Sequence, residues 1–318
     1  MRAMRGALRT VGPAVAVGLV TLSLPFRLIQ QQYVLSIVML SFGHSVFFGV
    51  GAYTTALLTI HFGISPWIGM LVGAALAAVL GAILTFPALR LKGVYFTLAT
   101  FVLTLLFADL ATHFSDFTGG DQGLSLPFVR NDPSAFQFDS KLTFYYVLTG
   151  FLVLATLIVA LVGNSRLGLF LKASRDDPEA ARAAGVDVTR TRLIGLIVSA
   201  ALTSIAGSLM LEYLRFIDPT TGLGSNTGFI IGLVALVGGR GTILGPIIGA
   251  AVLIPSQQLL ASAFSSAPSG LSGIAYAAIV IVIMLVDWRG LHHLLERLFR
   301  AIGRLARRRP VPAEGSAS

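Results

Sequence analysis

Long apolar runs separated by short polar segments dominate the pattern of this chain. Six of the runs have about the 17 to 25 residues that a helix needs to cross a bilayer. We read each of them as a plain transmembrane helix. They cover residues 11–28, 66–86, 94–112, 142–163, 193–211 and 271–288.

Two further runs are long enough to span a bilayer but are interrupted near their middle. The run 33–60 contains Gly43-His44-Ser45, and the run 228–255 contains Gly238-Gly239-Arg240-Gly241. We therefore expect two broken or re-entrant segments beside the plain spans. The predicted fold class is an all-α, polytopic transmembrane bundle of about eight to ten membrane segments, in a single domain over residues 1–318.

The two interruptions resemble each other, which suggests an internal repeat. Gly43 to Gly49 aligns with Gly239 to Gly245 at a constant offset. Glycine-interrupted segments at corresponding places in two halves of a membrane protein point to a substrate path near the bilayer midplane. The physical reason is that non-helical backbone at this depth must be buried in protein or line a wet cavity. The alternative is that the glycines only allow close helix packing.

The candidate path residues lie in or beside the two interruptions. They are Gly43, His44, Phe47, Gly49, Tyr53, Gly239, Arg240, Gly241, Thr242 and Gly245. His44 and Arg240 are functional candidates because an ionisable group within a span is costly to bury. The alternatives are a neutral imidazole bonded to freed backbone carbonyls and a structural arginine clamp. For Phe47 and Tyr53 the alternative to contact with a passing side chain is helix packing.

Composition agrees with a lipid environment. The chain is 55% hydrophobic and 12% charged, with a mean hydropathy of +0.84, which is too much apolar surface for a water-soluble globule. It has no cysteine, which excludes disulfides, thiolate catalysis and cysteine metal sites. The net charge of +9 does not require a nucleic acid partner, because basic residues in a membrane chain mark the loops that stay in the cytoplasm.

The distribution of Lys and Arg predicts the topology. The tail before residue 11, the Arg90–Lys92 loop, the segment 164–192 and the end from residue 289 hold three, two, six and seven of the 23. These regions should be cytoplasmic, including both termini and the basic tail 289–318. The external segment 113–141 is instead rich in aspartate. The four basic regions can all lie on the cytoplasmic side of the membrane only if each interrupted segment enters and leaves the membrane on the external side.

The segment 164–192 carries a short helix signal. Asp177 is a good N-cap, Pro178 suits the first helical position, and Gly185 can end the helix in a left-handed conformation. Glu179 complements the helix dipole, and the alanines that follow keep the surface small. A compact helix of this kind suits docking to a partner. The alternative is an ordinary cytoplasmic loop helix.

Several kinds of chemistry have no support in the sequence. No lysine follows a glycine, as the phosphate-binding loop of an ATPase requires. No His or Asp set has metal-ligand spacing. The acidic residues nearest the spans lie close to span ends rather than inside, where an ion-coupled transporter needs them. They are Asp109, Glu212 and Asp287. We therefore expect a non-enzymatic permease, without a bound cofactor, that is driven by a separate ATPase.

Taken together, the chain's motifs resemble those of a known family, the permeases of ATP-binding-cassette importers for branched-chain amino acids, in particular their M-type subunits. The matching stretches run through nearly the whole chain. They are residues 41–45 (SFGHS), 47–53 (FFGVGAY), 89–96 (LRLKGVYF), 118–124 (TGGDQGL), 165–168 (SRLG), 175–181 (RDDPEAA) with Gly185, and 238–242 (GGRGT) with Gly245 and Pro246.

The resemblance implies an importer of leucine, isoleucine and valine in a bacterial cytoplasmic membrane. It implies three kinds of partner besides lipid: a related second permease, two ATP-binding subunits that use ATP and Mg²⁺, and an external binding protein received by the segment 113–141. The residues that match the family's ATPase-coupling motif are Arg175, Asp176, Asp177, Pro178, Glu179, Ala180, Ala181 and Gly185. The Leu-Pro ending that often follows this motif is absent here. Arg175, Arg182, Arg190 and Arg192 are further candidates, for pairing with acidic groups of the ATPase or only for setting topology.

Two alternatives to this function remain open at the sequence level. Closely similar permeases carry urea or short amides, so an importer of those compounds is the first. A stand-alone secondary transporter or channel, working without an ATPase, is the second.

Overall fold

A computed structural model of the protein describes residues 42–89, 91, 94–127, 132–138, 140–239, 245–264 and 270–286. The predicted span 11–28, most of the first half of the run 33–60, and the basic tail 289–318 lie outside these residues. So do Arg240, Gly241 and Thr242.

The described residues form twelve α-helices joined by short connections. In chain order they are α1 His44–Phe62, α2 Pro66–Ala88, α3 Val94–His113, α4 Ser115–Thr118, α5 Lys141–Asn164, α6 Arg166–Asp176, α7 Pro178–Ala183, α8 Val188–Leu214, α9 Pro219–Gly222, α10 Ser225–Gly238, α11 Gly245–Ala263 and α12 Leu271–Val286. Seven helical segments, with α9 and α10 counted as one, are long and apolar enough to cross a membrane. The prediction of an all-α, polytopic membrane bundle is confirmed.

One small β-ladder lies among the helices. Strand β1 (Leu124–Ser125) pairs antiparallel with β2 (Phe216–Ile217), with Leu124 opposite Ile217. The ladder ties the segment 113–141 to the C-terminal end of α8. Within this segment Gly123 has φ +69, and a side chain there would overlap the Ile217 carbonyl. Glycine is therefore required where the TGGDQGL stretch passes beneath β2.

Helices α1 and α8 form the centre of the bundle. In each of them, 56% of the most apolar 18-residue stretch is buried inside the bundle, against 17% in α3. They run parallel, because His44 meets Ser199 near the start of α1 and Thr55 meets Ser208 further along both helices. Their backbones touch at Gly207, where a Cβ would overlap the Phe48 carbonyl oxygen. Small residues allow this close approach, as is usual between membrane helices.

Helix α2 packs across the central pair in the opposite direction. Its Gly69 faces Thr55, while its Gly81 faces Phe47 and Ala200. The order of these contacts along α1 is reversed relative to α2, which makes the two helices antiparallel. The apolar faces of α2, α3 and α5 that remain exposed suit contact with lipid.

The two long polar segments lie at opposite ends of α8. Helix α7 precedes its first residue, Val188, and β2 follows its last residue, Leu214. A helix of 27 residues is about 40 Å long, enough to separate two membrane faces. The segments 164–192 and 113–141 therefore lie at opposite ends of α8, and their assignment to the two membrane faces stays a prediction. The segment 164–192 is mostly helical, since α6, α7 and the first turn of α8 fill most of it.

The second interrupted segment is a helical hairpin. Gly238 of α10 abuts the Gly245 carbonyl of α11, and Gly249 abuts the Val234 carbonyl, so the two helices are antiparallel. The hairpin begins just after β2, and the chain therefore enters and leaves it on the side of the segment 113–141, as the charge distribution requires. The first interruption differs slightly from the prediction. In its described part, only Phe42 and Gly43 precede the helix, while His44 and Ser45 already belong to the first turn of α1.

Candidate functional site

The short helix predicted in the segment 164–192 is present as α7, with the predicted cap. The Asp177 carboxylate accepts hydrogen bonds from the backbone N–H groups of Glu179 (2.9 Å) and Ala180 (3.0 Å), and Pro178 holds the first helical position. The same N–H groups lower the pKa of Asp177 below its ordinary value. The cap therefore stays charged at neutral pH.

The other end of α7 closes as a Schellman motif around Gly185. The N–H of Val186 donates to the Ala181 carbonyl (3.0 Å), and the N–H of Gly185 donates to the Arg182 carbonyl (2.9 Å). Gly185 has φ +85, the left-handed conformation predicted for it. Two local caps thus define a helix of six residues, Pro178–Ala183.

Helix α7 is fixed to its neighbours on one side. Ala181 is buried against them, and Arg192 of α8 donates from its guanidinium to the carbonyl of Ser174 in α6. Arg192 is only 8% exposed. It joins α8 to α6, so the expectation that it pairs with an acidic group of a partner is wrong.

The opposite side of α7 is exposed. Glu179 and Ala180 face outward, as do Arg182 and Ala183. Arg175, at the end of α6, forms an exposed ion pair with Asp176 at 2.8 Å. The exposed surface of α7 combines small side chains with charges of both signs. A helix with such a surface is compact enough to fit into a groove of another protein.

The break before α1 is satisfied by hydroxyl groups. The Phe42 carbonyl accepts hydrogen bonds from Ser45 Oγ (3.2 Å) and from Thr104 Oγ1 of α3 (3.1 Å). The imidazole of His44 instead lies against α8, with Nε2 at 3.2 Å from Ser199 Oγ. Ser45 and Thr104 thus satisfy the carbonyl of Phe42, and both interpretations of His44 stay predictions.

The break lies near the middle of the bundle. Ser199 is about 16 Å along α8 from Val188, in a helix about 40 Å long. Helix α10 closes over the break, since Gly228 faces the Phe42 carbonyl and Phe229 stacks on the Phe42 ring at 6.1 Å. Non-helical backbone at this depth is thus buried in protein, one of the two arrangements that a membrane allows.

The structure gathers one set of predicted path residues along α1 and separates them from the other set. Gly43, His44, Phe47, Gly49 and Tyr53 are all buried. They are packed against neighbouring helices, with Gly49 facing Leu223 and Tyr53 next to Gly222.

The described members of the second set, Gly239 and Gly245, lie where α10 ends and α11 begins. Gly239, at φ +132, is about 16 Å beyond Gly228 along α10, and Gly245 opens α11. Because Gly228 faces the Phe42 carbonyl, the described members of the two sets lie at different depths along the bundle.

A row of polar residues on α8 was not predicted. Ser199, Ser204, Ser208 and Glu212 are all buried, and they face α1 where Ser199 meets His44 and Ser208 meets Thr55. We placed Glu212 only near a span end, but its side chain is fully buried and pairs with Arg215 at 3.0 Å. The signal was the spacing of four residues from Ser204 to Ser208 and on to Glu212, which places these three on one helix face.

Comparison with known protein families supports the resemblance. Residues 14–286 match the family described as branched-chain amino acid transport system / permease component. The chain is 28% identical over 248 residues to the high-affinity branched-chain amino acid transport system permease protein LivM of Escherichia coli strain K12, covering 70% of this chain and 57% of that protein. The chain thus spans a little over half the length of that relative.

Two other relatives show the range of the similarity. The probable branched-chain amino acid transport permease protein LivH of Methanocaldococcus jannaschii is 29% identical over 78% of this chain and 83% of its own length. The fructose import permease protein FrcC of Rhizobium meliloti is 26% identical over 61% of this chain and 56% of its own. No solved structure matches the chain.

Proposed function

Since the chain belongs to the family of permease components of branched-chain amino acid transport systems, we propose that it is one membrane subunit of an ATP-driven importer of leucine, isoleucine and valine. The chain is a multi-pass membrane protein and a permease component rather than a catalytic subunit. Relatives named as branched-chain amino acid permeases, one of which matches over most of both chains, support the substrate.

The proposed complex contains a second, related permease, two ATP-binding subunits and an external binding protein. ATP and Mg²⁺ are held by the ATP-binding subunits, and this chain contributes no cofactor site. The membrane is a bacterial cytoplasmic membrane, with both termini and α7 on the cytoplasmic side. The segment 113–141 faces outward, toward the binding protein. The opposite placement of α7 and β2 along α8 supports this orientation.

The main support for the proposal is a continuous series of contacts that leads from α7, through α8, to the break before α1. Arg192 joins α8 to α6, and Ala181 packs α7 into the same unit. Helix α8 then contacts α1 directly through His44–Ser199 and the glycine contact at Gly207. A displacement of α7 by the nucleotide cycle of a partner therefore moves α8 as a rigid lever and shifts α1 at its broken end.

Reconstitution tests this function. We expect liposomes that contain the whole complex to take up leucine, isoleucine and valine only when ATP is enclosed with the ATP-binding subunits. The permease pair alone should give no uptake under a sodium or proton gradient. Uptake by the permeases without ATP would instead identify a secondary transporter. Uptake of urea or acetamide with exclusion of leucine would identify the amide importer.

A further inference from the structure

The ion pair at the β2 end of α8 has unusual hydrogen bonding. Glu212 is 2% exposed, and Arg215 Nη1 lies 3.0 Å from its Oε2. Apart from this ion pair, neither carboxylate oxygen has a hydrogen-bond partner among the described residues. A buried carboxylate with so few partners is costly, so this position is suited to a ligand that brings N–H groups.

Further polar atoms without partners lie at the same level. The Tyr53 hydroxyl and Thr59 Oγ1 are buried and make no hydrogen bond within the described part of the chain. Thr55 bonds to Ser208 at 2.8 Å. Thr59 lies one turn beyond Thr55 on α1, and Glu212 lies one turn beyond Ser208 on α8.

An apolar cluster adjoins the charged pair. Leu126, Leu211 and Ile217 are buried together with Tyr53 in one group of side chains. The β-ladder forms its cover, and the N–H of Leu126 donates to the Arg215 carbonyl at 2.9 Å. Arg215 thus belongs both to the ion pair and to the cover. The ladder thus lies beside both Arg215 and the aliphatic cluster.

We propose that Glu212 and Arg215 bind the head group of a zwitterionic amino acid as it enters from the binding protein. The ammonium group would donate to the Glu212 carboxylate, the Arg215 guanidinium would donate to the substrate carboxylate, and Leu126 and Ile217 would contact its branched side chain. The ion pair keeps both charges paired while the site is empty. This site rests on the proposed function and adds to it the place where substrate charge is recognised.

The test uses the purified permease pair in nanodiscs, without the binding protein. Leucine binding is compared with that of leucinamide, which lacks the carboxylate, and 4-methylpentanoate, which lacks the ammonium group. We expect the wild type to bind leucine about tenfold or more tightly than either analogue, since each lacks one charge-assisted hydrogen-bonding partner. Glu212→Gln should bind leucine about tenfold less tightly and no longer discriminate against 4-methylpentanoate.

The matched control is Asp109→Asn, the same change at an exposed carboxylate of α3. It should leave the preference for leucine unchanged. Unaltered leucine binding in Glu212→Gln, or equal binding of the three ligands to the wild type, would overturn the site.

Photoaffinity labelling locates the ligand even if Glu212→Gln fails to assemble. A diazirine analogue of leucine should label the peptides that contain Leu126 and residues 211–217, and labelling confined to other peptides would contradict the proposal. ATP-driven leucine uptake by the whole wild-type complex is measured in parallel. If that uptake persists while binding here fails, only this site is refuted, whereas loss of both refutes the proposed substrate.

Discussion

Glu179→Arg is expected to reduce ATP-driven leucine uptake about tenfold or more, because it reverses a charge on the exposed surface of the proposed docking helix and so disturbs charge complementarity with the partner. Glu179 is exposed at the first turn of α7, on the side that faces away from α6 and α8. The substitution also places a positive charge at the positive end of the helix dipole. The measurement is substrate-stimulated ATPase activity together with uptake, both in the reconstituted complex.

The control for this variant is Asp109→Arg, a charge reversal at an exposed acidic residue of α3. Both variants should insert in the membrane and elute from a sizing column like the wild type, since neither side chain is buried. Normal coupling in Glu179→Arg would show that α7 is an ordinary loop helix.

Gly207→Ala is expected to destabilise the bundle by about 1–3 kcal/mol, the usual cost of forcing extra atoms into a packed interior. Its Cβ would overlap the carbonyl oxygen of Phe48, which belongs to the backbone of α1 and cannot rotate away. Helices α1 and α8 must then separate, which also disturbs the contact between His44 and Ser199. Thermal unfolding of the purified permease pair in detergent measures the loss.

Gly150→Ala provides the comparison, because a Cβ at Gly150 on α5 meets open space. Alanine favours a helix over glycine by about 0.5–1 kcal/mol, so this variant should equal or exceed the wild type in stability. Equal stability of Gly207→Ala and the wild type would contradict the close parallel packing of α1 and α8.

The features predicted correctly from sequence are those with local causes. A transmembrane span is set by its own length and hydropathy, so α2, α3 and α5 begin and end close to the predicted limits. The caps of α7 depend on Asp177, Pro178 and Gly185, which lie within a few residues of the helix, and these were predicted correctly.

The features that were missed depend on contacts between distant residues. Arg192 looks like a loop arginine until α6 brings the Ser174 carbonyl to it. Glu212 lies near a span end in the sequence, and only the packed bundle shows that its side chain is buried and paired with Arg215. The equivalence of the two interruptions stays a prediction from sequence similarity, since residues 1–41 and 240–244 lie outside the described part of the chain.

The central claim is that α7 faces the cytoplasm and seats in a separate ATP-binding subunit. Because the chain has no cysteine, Ala180→Cys introduces a unique thiol on the exposed side of α7. A membrane-impermeant maleimide should label it in inside-out vesicles only, and added ATP-binding subunits should protect it. Labelling of intact cells or right-side-out vesicles at the same rate would place α7 on the outer face and contradict the account.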